Sequence, residues 1–562
     1  MLNMSCQIKS LVAALVIMLS ACGGGSGSSN DGPAPPPPVD PAEAQASASR
    51  LASRATFGMS YNDIVALAET GEEAWLSQQF NLPVGLHDPI VSDLLQRQAA
   101  GEFEELEREF TNIEFAFRRM AWWQQAIFSQ DVLRQRIAFA LSEILVVSDK
   151  VDILAVFPYA LSNYQDMLLT NAFGNFRDLL RAVTLHPSMG VYLSHINNAR
   201  ANPENNTFPD ENYAREVMQL FSIGLFELNP DGSEKTDANG DRIPTYNNED
   251  IREFAKIFTG LSFGGPNTMF GGRSPVFRQP MRMFESFHEP GPKVLLGGTI
   301  VADGQDGMAD IDSAIDNLFM HPNVGPFIGK QLIQRLVTSN PSPDYINRVS
   351  EAFADNGSGV RGDMQAVIRA ILFDPEAQAE PGSGENFGKL REPLLRFLTF
   401  LKTLGVSSPD GFYANTGYII EAVLQQHPLS AFSVFNFFLP GHQPVGEIAE
   451  AGLVAPEFQL TNSNTVVAIT NLADAVIFGD FVNDLARPPF QPATLDFSDY
   501  QALIDDPEEL LERLDLVMTY NTLSDDTRQM ILDTLIDIDD PDFRLATALY
   551  LLYVSPDYAV QL

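Results

Sequence analysis

Seven histidines occur in the chain, and three of them fall close together in sequence beside a run of carboxylates. His186, His195, Asn197 and Asn198 precede a helical stretch from Asp210 to Leu225, and His288 follows it. In that stretch Pro209 precedes Asp210, and an acid in a first turn is favoured by the helix dipole. Glu211 and Arg215 are four residues apart and can pair on one face. Tyr213, Val217, Leu220 and Gly224 form a buried stripe, leaving Asn212, Glu216 and Gln219 on a third, polar face. Imidazole and carboxylate together can hold a divalent metal or move protons. The competing reading makes Glu211–Arg215 and Glu249–Arg252 ordinary surface pairs and each histidine a cap or a core hydrogen-bonder. No His-Glu-x-x-His and no close histidine pair is present.

Asp237, Asn239 and Asp241 carry side-chain oxygens at alternate positions, like the opening of a calcium loop. Arg242 stands where that loop needs glycine, and Asn248 where it needs glutamate. A tight hairpin turn explains the same residues. The acids Asp303, Asp306, Asp310 and Asp312 are a comparable cation candidate. Gly357, Gly359 and Gly362 match a dinucleotide-loop spacing but follow a helical stretch, so a glycine-rich turn with Asp363 as helix cap reads better.

The elements that position these groups are mainly helical. Apolar residues recur at helical spacing from Ala48 onward, most clearly over Asp131 to Val147, and again over Asp363 to Phe373 and in the C-terminal stretches. Helix ends are punctuated by His186-Pro187, His321-Pro322, Asp374-Pro375 and Ser555-Pro556, because proline disfavours the α conformation in the residue before it. The expectation is a mainly α fold: one large multi-helix globular domain over 48–562. A β-hairpin and irregular loop region is inserted at about 226–300. The dipeptides Asp231-Gly232 and Asn239-Gly240 mark its turns.

Composition narrows the class. The chain has 562 residues and a formal net charge of −38, with 73 acidic residues against 35 basic ones. That balance opposes phosphate binding, so nucleic acid is excluded as a partner. A hydrophobic content of 45% excludes a disordered tail, and two cysteines exclude a disulfide scaffold. Residues 1–21 contain Lys9 and the apolar run Leu11 to Leu19, then Ser20, Ala21 and Cys22. This resembles a bacterial lipoprotein signal, which implies cleavage before Cys22 and lipidation of its thiol. Two or more acyl chains give stable membrane anchoring. Gly23 after the cysteine favours the outer membrane. Residues 22–47 are rich in Gly, Ser and Pro and read as an extended tether.

Several stretches together resemble one bacterial family, DUF1800. They are Arg50-Leu51 to Gly58, Leu133-Arg-Gln-Arg136 to Leu141, Phe173 to Arg177, and Asp210-Glu-Asn-Tyr-Ala-Arg-Glu216 to Leu220. Further on come His321-Pro-Asn323 to Phe327, Leu390-Arg391-Glu392-Pro393, and Gly452 to Gln459. Glu289 after His288 departs from the aspartate expected there. The resemblance implies a secreted or cell-envelope protein, with an exported DUF1501-type protein as a partner, and it supplies no catalytic residues. Two functions remain open. One is a lipid-anchored binding or scaffold protein. The other is a metal-dependent or acid–base envelope hydrolase using His186, His195, Glu211, Glu216 and His288.

Overall fold

In the computed structural model, the described residues are 40–562, apart from 111, 273–274, 385, 414–417 and 480–487. Cys22 and the signal segment lie outside them. The fold is mainly helical, as expected, and its strands occur only in two-stranded pairs among the described residues. Pro41–Leu562 form one compact unit that encloses its own core, so this unit holds together without the leader.

The first helix, Pro41–Ala55, begins seven residues before the expected start of the folded domain at residue 48. Proline is pre-organised for the first helical position, and Glu43 complements the dipole in the first turn. The proline that read as tether therefore starts the fold. Its other end carries Arg54, buried against the Ala377 carbonyl. The helix Val132–Ser142 is buried on every side from Leu133 to Ser142, including Arg134, Gln135 and Arg136. A helix buried all round leaves its polar side chains no water, so each needs a partner inside the protein.

The proline-marked ends behave as expected. His186 ends the helix Phe176–Leu185 and caps Pro187–Tyr192, its Nδ1 accepting from the Ser188 N–H at 3.1 Å. Ser555 caps Pro556–Ala559 in the same way. Asp363 caps Met364–Leu372, accepting from the Gln365 N–H at 3.0 Å.

The expected hairpin region holds less regular strand than a hairpin. Three segments exchange backbone hydrogen bonds in a ring: Glu227 N–H to Ile243 O, Ile243 N–H to Lys235 O, and Lys235 N–H to Glu227 O. Turns at Asp231-Gly232 and Asp237 to Asp241 return the chain each time. This small knot is stitched to the helix Val324–Leu336 by Asn323. Its buried amide donates to the Ile223 and Phe226 carbonyls, both at 2.8 Å, and accepts from the Leu228 N–H at 2.9 Å. The C-terminus closes the unit: Val560–Gln561 pairs antiparallel with Lys389–Leu390.

Candidate functional site

The histidines predicted from sequence are spent on separate partners, Glu211 is paired at the surface, and the buried Glu216 Oε2 has no hydrogen-bond partner among the described residues. His186 is a helix cap, with its Nε2 3.3 Å from Asn163 Oδ1. His195 donates through Nε2 to the Thr184 carbonyl at 2.9 Å and stacks on Tyr213 at 3.9 Å between ring centroids. His288 is buried against Asp310 at 2.9 Å and the Thr259 carbonyl at 2.9 Å, with Lys293 also bonded to Asp310. Glu211 and Arg215 form a surface pair at 3.7 Å, joined by Arg252 at 3.9 Å. Glu216 is buried, and burial raises its carboxyl above the usual range, opposed by Arg215. Among the described residues no three His, Cys, Asp or Glu side chains are grouped to hold a metal ion. Asp237 closes an exposed turn by accepting from the Asn239 and Asp241 N–H groups at 2.8 and 3.0 Å, as a hairpin turn requires. Of the other acids, Asp306 caps Gly307–Phe319 and Asp312 pairs with Arg181 at 2.5 Å. The residues present therefore do not fit a divalent cation at these places.

A different set of charges converges. Arg136, Glu143, Arg335, Lys389, Glu392 and Glu457 are all nearly inaccessible, at 4% or less. The cations are there because two buried helices end there. The last carbonyls of a helix lack intrahelical partners, and cations near them are favoured. Arg335 donates to the Glu143 carbonyl at 2.9 Å, at the end of Val132–Ser142. Arg136 and Lys389 donate to the Arg335 carbonyl at 2.6 and 2.9 Å, near the end of Val324–Leu336.

The carboxylates balance these cations. Glu457 pairs with Lys389 at 2.9 Å, Glu392 lies 4.0 Å from Lys389, and Glu143 lies 3.8 Å from Arg335. Gln426 bridges two of the acids, donating to Glu392 at 2.6 Å and reaching Glu143 at 3.5 Å. Glu143 and Glu392 are neighbours of like charge on either side of the Gln426 amide. Burial, and then the Glu392 carboxylate, push Glu143 well above the usual carboxylate range against the pull of Arg335. Two neighbouring carboxyls in low dielectric retain a proton between them.

This cluster floors a cavity of about 550 Å³, a size ordinary for small-molecule sites. Glu143, Gln331, Gln334 and Arg335 face it from the floor. Phe226, Leu228 and Arg242 of the knot form one wall, Phe327 another, and Phe435 and Leu439 the rim. Four buried atoms among these floor residues have no hydrogen-bond partner: Glu143 Oε2, Gln331 Nε2, Gln334 Oε1 and Arg335 Nε. Buried polar atoms normally find partners, so a set of four at one cavity points to a bound polar group.

Five of the stretches that carried the sequence resemblance meet here. Arg136, Glu392 and Glu457 build or support the floor, Gln219 and Leu220 line one side, and Pro326 and Phe327 another. A family model described as "Protein of unknown function (DUF1800)" matches residues 50–560. The chain belongs to this family. No curated protein and no solved structure matches it. Sequence reasoning missed Glu143, Arg335 and Lys389 altogether. One signal for Glu143 was available: Arg136 and Glu143 sit in a segment otherwise apolar enough to be buried all round.

The buried histidines give a pH test. Burial lowers His195 to about 4. Its neutral form stabilises the fold above the unfolded value near 6.5, and that stability is lost as pH falls toward 4. The stability of the unaltered protein relative to His195→Gln should therefore shrink between pH 7 and pH 4, by up to about 3 kcal/mol. Denaturant midpoints across that range check it; an advantage that is constant or grows on acidification contradicts it.

Proposed function

We propose that this protein is a lipid-anchored binding protein of the cell envelope, and that the cavity above Glu143 and Arg335 is its ligand seat. The observation that carries the reading is the convergence of three distant, family-marking stretches on one cavity, with two more in the charge cluster beneath it, and buried polar atoms without a hydrogen bond on its floor. The acid–base alternative has a residue in Glu143, but its carboxyl neighbour Glu392 does not line the cavity. Paired glycosidase carboxylates flank the reacting bond with a gap of several ångströms. Glu143 and Glu392 instead share the Gln426 amide, with only Glu143 facing the cavity, which does not suit a division into acid and base roles. The metal-dependent alternative has its three histidines engaged apart from one another, and among the described residues no three His, Cys, Asp or Glu side chains are grouped to hold a metal ion.

Cys22 and its preceding apolar run support the anchor, and the glycine- and proline-rich residues after it support a tether. The DUF1501-type partner implied by the resemblance belongs to the same reading: a tethered binding protein presents its ligand to a neighbour in the envelope.

Two experiments test this. Cys22→Ser should move the exported chain from the membrane fraction to the soluble fraction of the envelope. Unchanged membrane retention of that variant contradicts the anchor. For the seat, the unit Pro41–Leu562 is incubated with small molecules extracted from envelopes, desalted and weighed by native mass spectrometry. A discrete mass increment is expected, and it should vanish in Leu225→Trp, which fills the cavity from its rim. No increment, or one that survives Leu225→Trp, contradicts the reading.

A further inference from the structure

Among the described residues, two donors and two acceptors on the cavity floor lack a hydrogen bond, and Lys330 adds donors above them. The floor donors are Gln331 Nε2 and Arg335 Nε, the latter 3.8 Å from Glu143 Oε2, which is itself without a hydrogen bond. Gln334 spends its amide N–H groups on the Ser339 and Pro440 carbonyls at 3.0 and 3.2 Å, which leaves Oε1 as the single amide acceptor. Lys330 adds an ammonium with up to three further N–H groups. It is open to solvent through the cavity, and among the described residues it makes no hydrogen bond or ion pair. The surrounding walls lower its proton affinity, with Glu234 opposing. Glu234 is itself taken by Arg242 at 3.4 Å, and Arg242 lies 3.8 Å over the face of Phe226.

The charges point the same way. Arg242, Lys330 and Arg335 line the cavity against Glu143 and Glu234. The cavity thus carries one more formal cation than carboxylate inside a chain of net charge −38. A surplus of donors and positive charge selects an acceptor-rich, negatively charged group. Elsewhere the cavity is apolar: Ile144, Leu220, Leu228, Phe327, Phe435 and Leu439 offer no polar side-chain atom.

We propose that the cavity binds an amphiphilic anion, an apolar body carrying a single carboxylate or phosphate group. The acidic group takes Lys330 and the open donors of Arg335 and Gln331, and the apolar body lies along Phe327 and the Phe435–Leu439 rim. This inference rests on the ligand-seat reading and specifies its chemistry.

The test is calorimetric titration of Pro41–Leu562 at low salt with octanoate, octyl phosphate and the neutral isostere octanamide. At least one anion should bind about tenfold or more tightly than octanamide, a difference of about 1.4 kcal/mol. The tighter of the two anions identifies a carboxylate or a phosphate source. Lys330→Met should abolish that preference, and Leu225→Trp should abolish binding of all three. Equal affinity for octanamide and the anions overturns the proposal, as does a preference that survives Lys330→Met. If none of the three binds while the envelope-derived increment persists and still depends on Leu225, the anion assignment fails and the ligand seat stands. If the increment is missing as well, both fail.

Discussion

Six charged side chains buried in one place constrain this fold more than any single apolar contact. Taking an ion out of water costs several kcal/mol unless it is paired and hydrogen-bonded. Arg136, Arg335 and Lys389 meet that cost on the terminal carbonyls of two buried helices, and Glu143, Glu392 and Glu457 neutralise them. The six come from four segments spread between positions 136 and 457, so their balance exists only when all four are in place. The C-terminal strand joins through Gln561, which donates to the Leu336 and Val337 carbonyls at 2.9 and 3.0 Å.

The cavity follows from that constraint. Fixing the ends of Val132–Ser142 and Val324–Leu336 against each other leaves Glu143, Gln331, Gln334 and Arg335 at a shared floor. Asn323 then sets the wall, because its amide satisfies two backbone groups of the knot that begins at Phe226 and the Ile223 carbonyl just before it. Burial and the neighbouring Glu392 carboxylate raise Glu143 above the usual carboxylate range, and Arg242, Lys330 and Arg335 outnumber the two carboxylates that line the cavity. Structure and binding chemistry thus share the same residues: the groups that tie the helices together are the ones that face the ligand.

Much of the architecture was legible from local rules. Helical spacing, proline punctuation and the Asp363 cap are properties of neighbouring residues, and the structure keeps them. The start of the fold was placed late because Pro41 reads as tether until its role as a first helical residue is seen. The site was less legible. Histidine and carboxylate near each other in sequence suggested chemistry around His186, His195 and His288, yet each of these rings satisfies a local backbone or side-chain partner. The true convergence links residues up to hundreds of positions apart, in helices whose apolar pattern hides their few charges. Spacing cannot show which distant charges share a cluster; only the packing of four segments does.

A double-mutant cycle on Lys389 and Glu457 tests the central claim most directly. Denaturant midpoints are measured for Lys389→Met, Glu457→Gln and the double variant of Pro41–Leu562. Each single change should cost about 3–5 kcal/mol, because it strands a buried charge. The double variant should be more stable than the sum of the two losses predicts, by at least about 1 kcal/mol. Singles that fail to fold while the double variant folds give the same answer. Additive losses, or single losses within about 0.5 kcal/mol of zero, contradict a fold organised around buried charge balance.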